Sequence, residues 1–254
     1  MKKCVVVKIK IDELKLYFGE ENEIFVTDKI KIQLPKVEDI IEVGEQSYLN
    51  FCQVFTMHHL EDSAIVFLDS IGVDFANITD WVLFISIVNT FDYKASSLLF
   101  GDLDFQSFQP LNDENGNLYI KNKDGTVITE TIYKLLVMYI RKINNIPKPK
   151  YSKMINNKRQ KRMAVRHAKI QLEKARIKSN QNPSGSFFMP MVTNLRQFHS
   201  KNEISNMNIF EFWASVKRFI TNKETDHLYY GLYSGCLNLK DNPSLQKQLN
   251  YLRN

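Results

Sequence analysis

The chain predicts an α+β fold: a small N-terminal β-meander or hairpin packed on helices, a basic helical connector and an all-α C-terminal subdomain. Three observations carry that reading. Residues 29–34 alternate strictly between polar and apolar side chains, the period-two signature of a half-buried strand. Residues 37–55, 80–88 and 131–143 either repeat apolar side chains at threes and fours or are apolar throughout, as helices of a packed core do. Prolines at 147 and 149 and the Asn-Pro-Ser-Gly of 182–185 bracket a cationic segment, dividing the chain into a body (1–145), an arm (146–185) and a tail (186–254).

In chain order, residues 5–11 end in alternation and read as a strand, with 14–18 and 24–26 as candidate partners across the turn at Gly19. The strand at 29–34 follows Thr27-Asp28, and Pro35 ends it where the first turn of a helix tolerates a missing N–H. Val37, Ile40, Ile41, Tyr48, Phe51, Cys52 and Phe55 then line one face of a single long helix. Thr79 followed by Asp80 opens another helix with a side-chain cap, and its apolar run to Val88 places it centrally in the core. Residues 118–120 and 126–128 flank Asn122-Lys123-Asp124-Gly125 as a β-hairpin, and 131–143 returns to helix. In the arm, 157–178 is predicted helical with a thin stripe of Val165, Ala168, Leu172 and Ala175. In the tail, Phe187, Phe188, Met191, Leu195 and Phe198 begin a helix, and Ser200 with Glu203 forms a capping box. Residues 208–219 are the strongest amphipathic helix there, and two short helices follow near 224–233 and 243–253.

At 254 residues, 44% hydrophobic and 12% aromatic, the chain is long and apolar enough to build a real core. Cys4, Cys52 and Cys236 are odd in number and far apart, which argues against a disulfide framework or a CxxC zinc site and for a reducing compartment. Lys8, Lys10 and Asp12 interrupt the N-terminal apolar run, so no signal-peptide core forms. No stretch approaches the about 18 apolar residues of a spanning helix. A soluble, intracellular protein without a membrane partner is expected.

Charge is strongly segregated. Residues 1–140 hold 12 Lys/Arg and 22 Asp/Glu, a net of −10. Residues 141–178 hold 14 Lys/Arg against Glu173 alone, a net of +13, and 179–254 hold 8 basic and 5 acidic residues, a net of +3. A cationic block of this density meets something anionic. Its candidate contact residues are Arg159, Lys161, Arg162, Arg166, Lys169, Lys174 and Arg176. Three readings stay open: a phosphate-binding arm, a tether on an acidic protein surface (its own body or a neighbouring copy), and a solvated helix. Only Tyr151 interleaves as an aromatic, so base stacking is not indicated.

Motifs for chemistry are sparse. Asp102 and Asp104 have DxD spacing but also suit a turn. His58-His59 with Glu61 and Asp62 offers four potential ligands, yet neighbouring histidines diverge on a helix or strand, and a solvated helix end is the plainer reading. Asp92-Tyr93-Lys94 resembles half of a nuclease core without its supporting acid. Gly231 and Gly235 suit close packing or a helix end. There is no GxxxxGK[ST], GxGxxG or GxSxG. No catalytic residue, metal or cofactor is expected.

Residues 200–218 (Ser-Lys-Asn-Glu-Ile-Ser-Asn-Met-Asn-Ile-Phe-Glu-Phe-Trp-Ala-Ser-Val-Lys-Arg) and 228–235 (Leu-Tyr-Tyr-Gly-Leu-Tyr-Ser-Gly) resemble the C-terminal part of tail assembly chaperone-like proteins from tail-gene clusters of Firmicutes phages. The strand-then-helix opening at 29–41 is similar in kind. The resemblance implies a non-enzymatic protein in the cytoplasm of a bacterial host, holding the tape-measure protein and recruiting tail-tube subunits. Aromatic helical faces carrying Phe187, Phe188, Phe212, Trp213, Tyr229 and Tyr230 are the expected grip on such clients. Self-association of basic arm with acidic body is expected too, and a nucleic-acid-binding accessory protein is the alternative.

Overall fold

A computed structural model describes residues 12–20, 22–149, 155, 157–181, 185–238 and 244–249. The strand expected at 5–11, the Asn182-Pro183-Ser184 hinge and the far end of the last helix lie outside the described residues.

The first element differs from expectation. Residues 14–18 are not a strand: 14–17 belong to helix α1 (Glu13–Tyr17) and Phe18 is its C-cap. Asp12 accepts hydrogen bonds from the Leu14 and Lys15 N–H groups at 3.1 and 3.4 Å, and this N-cap outweighs a five-residue alternation. Strands β1 (Glu23–Thr27) and β2 (Ile30–Gln33) pair antiparallel with Ile24 opposite Ile32, as the alternation predicts. Their inward side chains Ile24, Val26, Ile30 and Ile32 are all buried.

The long helix expected over 37–55 is two, α2 (Val37–Val43) and α3 (Glu45–Phe55), broken at Gly44. Next come α4 (Asp62–Ser70), α5 (Asp80–Ile87) and α6 (Tyr93–Phe100). Thr79 Oγ1 caps α5 by accepting from Val82 N–H at 3.3 Å. The 118–128 hairpin is present as β4 (Leu118–Lys121) and β5 (Val127–Thr129), and it gains an edge strand, β3 (Gln109–Asn112). Helix α7 (Glu130–Ile143) starts directly from β5 under a Thr129 cap.

These elements enclose an aromatic core. Phe84 stacks on Tyr133 with ring centroids 4.5 Å apart, Phe55 meets Phe84 at 5.1 Å, and Phe100 meets Phe105 at 4.9 Å. Tyr48 of α3 donates to Asn144 Oδ1 at 2.8 Å, satisfying a buried hydroxyl.

The arm is a 24-residue helix, α8 (Lys158–Gln181), opened by a reciprocal cap between Asn157 and Gln160. The tail comprises α9 (Met189–Leu195), α10 (Lys201–Asn206), α11 (Ile209–Tyr233) and α12 (Leu245–Gln248). The Ser200–Glu203 capping box forms as read. Residues 208–219 and 224–233 are one continuous helix, α11, rather than two.

Body and tail share one core. The Val37 N–H donates to Met207 C=O at 3.0 Å and the Ile209 N–H to Pro35 C=O at 2.9 Å, a short antiparallel clasp between the start of α2 and the start of α11. Asn208 adds a buried hydrogen bond from Nδ2 to Leu16 C=O at 2.8 Å. Phe188, Leu195, Ile204, Ile209 and Phe212 are buried in the same apolar cluster as the sheet and α2–α7. The fold is α+β with a helical C-terminal part.

Candidate partner-binding groove

Helix α8 does not stand in solvent. It lies antiparallel on α4, with Ala168 fully buried at the crossing and Ala164 and Val165 partly buried beside it. Two cations fix the register: Lys161 pairs with Asp74 beyond the end of α4, and Lys169 Nζ lies 3.5 Å from Asp69 on α4. The stripe is therefore centred on Ala164, Val165 and Ala168, because Leu172 and Ala175 turn outward. Small residues fit here since they let the two helices approach closely.

Beside this crossing runs a groove of about 930 Å³. One wall is α8 from Lys158 to Ile177, a run of about 30 Å at 1.5 Å per residue. The other wall is Asp69 and the Gly72–Phe75 turn after α4. Val73, Phe75, Val165, Ile170 and Ile177 make its surface apolar, and Ile170 and Ile177 remain 44% and 46% exposed.

The charges in the groove are unbalanced. Its three carboxylates are engaged: Asp74 by Lys161, Asp69 by Lys169, and Glu173 by a bidentate pair with Arg176 (2.8 and 3.0 Å). The Lys161 ammonium holds the Asp74 carboxyl below its usual range, and the Arg176 guanidinium does the same to Glu173. Lys158, Arg162, Arg166 and Lys174 have no hydrogen-bond or ion-pair partner among the described residues. The groove thus offers unpaired cations over an apolar surface.

Of the predicted arm residues, Arg162, Arg166 and Lys174 line the groove with free charges, while Lys161, Lys169 and Arg176 are held in ion pairs. Arg159 is exposed and lies outside the groove lining. The predicted aromatic face is corrected. Phe188 and Phe212 are buried against each other, ring centroids 5.1 Å apart, and stabilise the chain's own core rather than a client. Trp213 is partly buried and its indole N–H finds no acceptor among the described residues. Phe187 is 50% exposed and Tyr230 73% exposed, while Tyr229 reaches Leu249 C=O at 3.4 Å. None of these aromatics lines the groove. Sequence reading missed Val73 and Phe75, although the spacing of residues 158, 162, 166 and 174 was there to find.

The other motifs resolve into local structure. Asp104 caps the turn at Phe105–Ser107, accepting from Gln106 N–H at 2.9 Å, and Asp92 caps α6, accepting from Lys94 N–H at 3.2 Å. His58 and His59 sit in a turn, so their rings stack at 4.3 Å instead of diverging, and both approach Asp80. Asp80 Oδ1 accepts from His59 N–H at 2.9 Å and from His59 Nδ1 at 2.6 Å. Leu60 N–H donates to His58 Nδ1 at 3.1 Å, which places the proton of the neutral ring on Nε2, facing Asp80 Oδ2 at 3.8 Å. Burial pushes the Asp80 carboxyl up, but the His59 hydrogen bonds together with the electrostatic pull of both histidines outweigh it and leave it below its usual range. The trio is a hydrogen-bonded junction between this turn and α5. Gly231 packs directly under Leu237, and Gly235 takes φ 73° just past α11.

No helix among the described residues is long and apolar enough to cross a membrane. Compared with protein-family models, curated proteins and solved structures, the chain matches none.

Proposed function

We propose that this chain is a non-enzymatic phage morphogenesis protein, a tail assembly chaperone that holds the tape-measure protein and tail subunits in the cytoplasm of a bacterial host. The observation that carries the reading is the α8 groove: an apolar surface beside unpaired cations, with every groove carboxylate already engaged. Such a surface binds rather than reacts, and it suits a long client held along its length. Co-expression with a phage tape-measure protein and tail-tube subunit should yield a complex that Arg162→Ala with Arg166→Ala weakens. Purification of the intact chain with nucleic acid alone defeats the reading.

Lys158, Arg162, Arg166 and Lys174, without an ion-pair partner among the described residues, also support a second reading, a phosphate-binding accessory protein. Under it, removing these charges flattens the slope of log K against log salt. A gel shift showing no binding at about 50 mM salt, where phosphate contacts are strong, ends it.

A further inference from the structure

The groove has a repeat that specifies its occupant more closely, provided that it is the partner site proposed above. Lys158, Arg162, Arg166, Ile170 and Lys174 fall at successive i+4 positions and all line the groove. On an α-helix, i±4 positions form one continuous ridge, with neighbours about 6 Å apart along the axis. This ridge presents cations at four of its five positions and an exposed isoleucine at the other. Apolar side chains from both walls, Val165 and Ile177 of α8 and Val73 of the facing turn, border it.

We infer that the groove takes an acidic amphipathic helix laid along α8, with Glu or Asp side chains recurring every three or four residues beside an apolar stripe. Three features argue for a helix in particular. The wall is one uninterrupted helix over about 30 Å, the length of about 20 helical residues. A row spaced by four residues meets a row spaced by three or four when two helices pack ridge into groove. Apolar surface borders the cations along the wall, and it needs an apolar face opposite to leave water. A nucleic-acid backbone matches the charges but leaves Val73, Ile170 and Ile177 wet, since described α8 has no Phe, Tyr or Trp for a base to stack on.

Fluorescence anisotropy with the full chain tests this. The probe is a synthetic helix of about 20 residues with Glu at every fourth position and a Leu/Ile stripe. Controls are a scrambled peptide of the same composition, a version with Lys replacing Glu, and a single-stranded oligonucleotide. The acidic helix should bind and the scrambled peptide should not. Arg162→Glu with Arg166→Glu should lower its affinity at least about tenfold, because like charges then face each other, and should create binding of the Lys version. That exchange of preference also shows that the variant is folded. Binding of the oligonucleotide but not the acidic helix overturns the inference, as does binding that the double reversal leaves unchanged. Sedimentation showing self-association that the reversal abolishes, with no peptide bound, overturns it in favour of a second copy. If the acidic helix fails while the tape-measure complex persists, only this inference falls. If the acidic helix binds and no tape-measure complex forms, the chaperone reading falls instead.

Discussion

Gly44 holds φ 105° and ψ 113° between α2 and α3, a backbone region closed to residues bearing a Cβ. Space is not the constraint, since the nearest atom to an added Cβ, Ser47 Oγ, is 3.9 Å away. Strain alone should make Gly44→Ala cost about 1–3 kcal/mol, read as a lower urea midpoint at constant m-value. A change below about 0.5 kcal/mol, the range of ordinary surface substitutions, would contradict it. The apolar spacing over 37–55 stays helical on both sides of this residue, because Val37, Ile40, Tyr48, Phe51, Cys52 and Phe55 are all buried. Periodicity records which faces are covered; it does not record one glycine's φ. The neighbouring Glu45 was equally invisible in the sequence. Its carboxylate accepts from the Ser186 hydroxyl at 3.1 Å and from the Phe187 and Phe188 N–H groups at 2.6 and 2.9 Å, fixing the start of the tail to α3. Nothing local announces a partner more than 140 residues away.

At the scale of elements, α8 joins the body through the buried Ala168 and two ion pairs. Lys161 depresses the Asp74 carboxyl below its free value of 3.8, so this contribution to docking is present above pH 3.8 and disappears as the pH falls below it through the depressed value. Asp74→Asn should reproduce that loss at neutral pH: trypsin should cut α8 faster in the variant, while α7 keeps its wild-type protection. Equal cleavage of α8 in both proteins rules the anchor out. Elements with strong local signals were legible in the sequence: β1–β2 by alternation, α5 by its threonine cap, α7 as a return to helix after the hairpin, α10 by its capping box. Strand β3 was not, because all four of its residues are exposed and Pro110 sits inside it. Helix α11 looked like two helices because its buried face continues through Thr221 and Thr225, where hydroxyls replace the apolar repeat. Thr225 resolves the polarity by donating to Thr221 C=O at 2.8 Å.

Taken as a whole, the molecule does not divide where its composition does. The body and tail read as separate blocks because proline, glycine and charge separate them. Yet Phe188, Ile204, Ile209 and Phe212 complete the core that β1, β2 and α2 begin. Removing residues 186–254 should therefore abolish cooperative unfolding of the remainder, seen as loss of the near-UV circular dichroism signal and of a sigmoidal melt. A truncated chain that still melts in one sharp transition would show a self-sufficient body. The groove was half legible for the same reason. Its cations stand together in sequence, whereas Val73 and Phe75 come from a turn that only the tertiary fold brings alongside.

The clasp between Pro35–Val37 and Met207–Ile209 joins backbone separated by about 170 residues. A ribosome adding roughly 5–20 residues per second needs roughly ten to thirty seconds to deliver the second half after the first has emerged. Throughout that interval the nascent chain carries an unfinished apolar surface around Ile32, Val37 and Ile40. A protein proposed to shelter others thus passes through its own vulnerable period during synthesis, which ends only when α11 arrives.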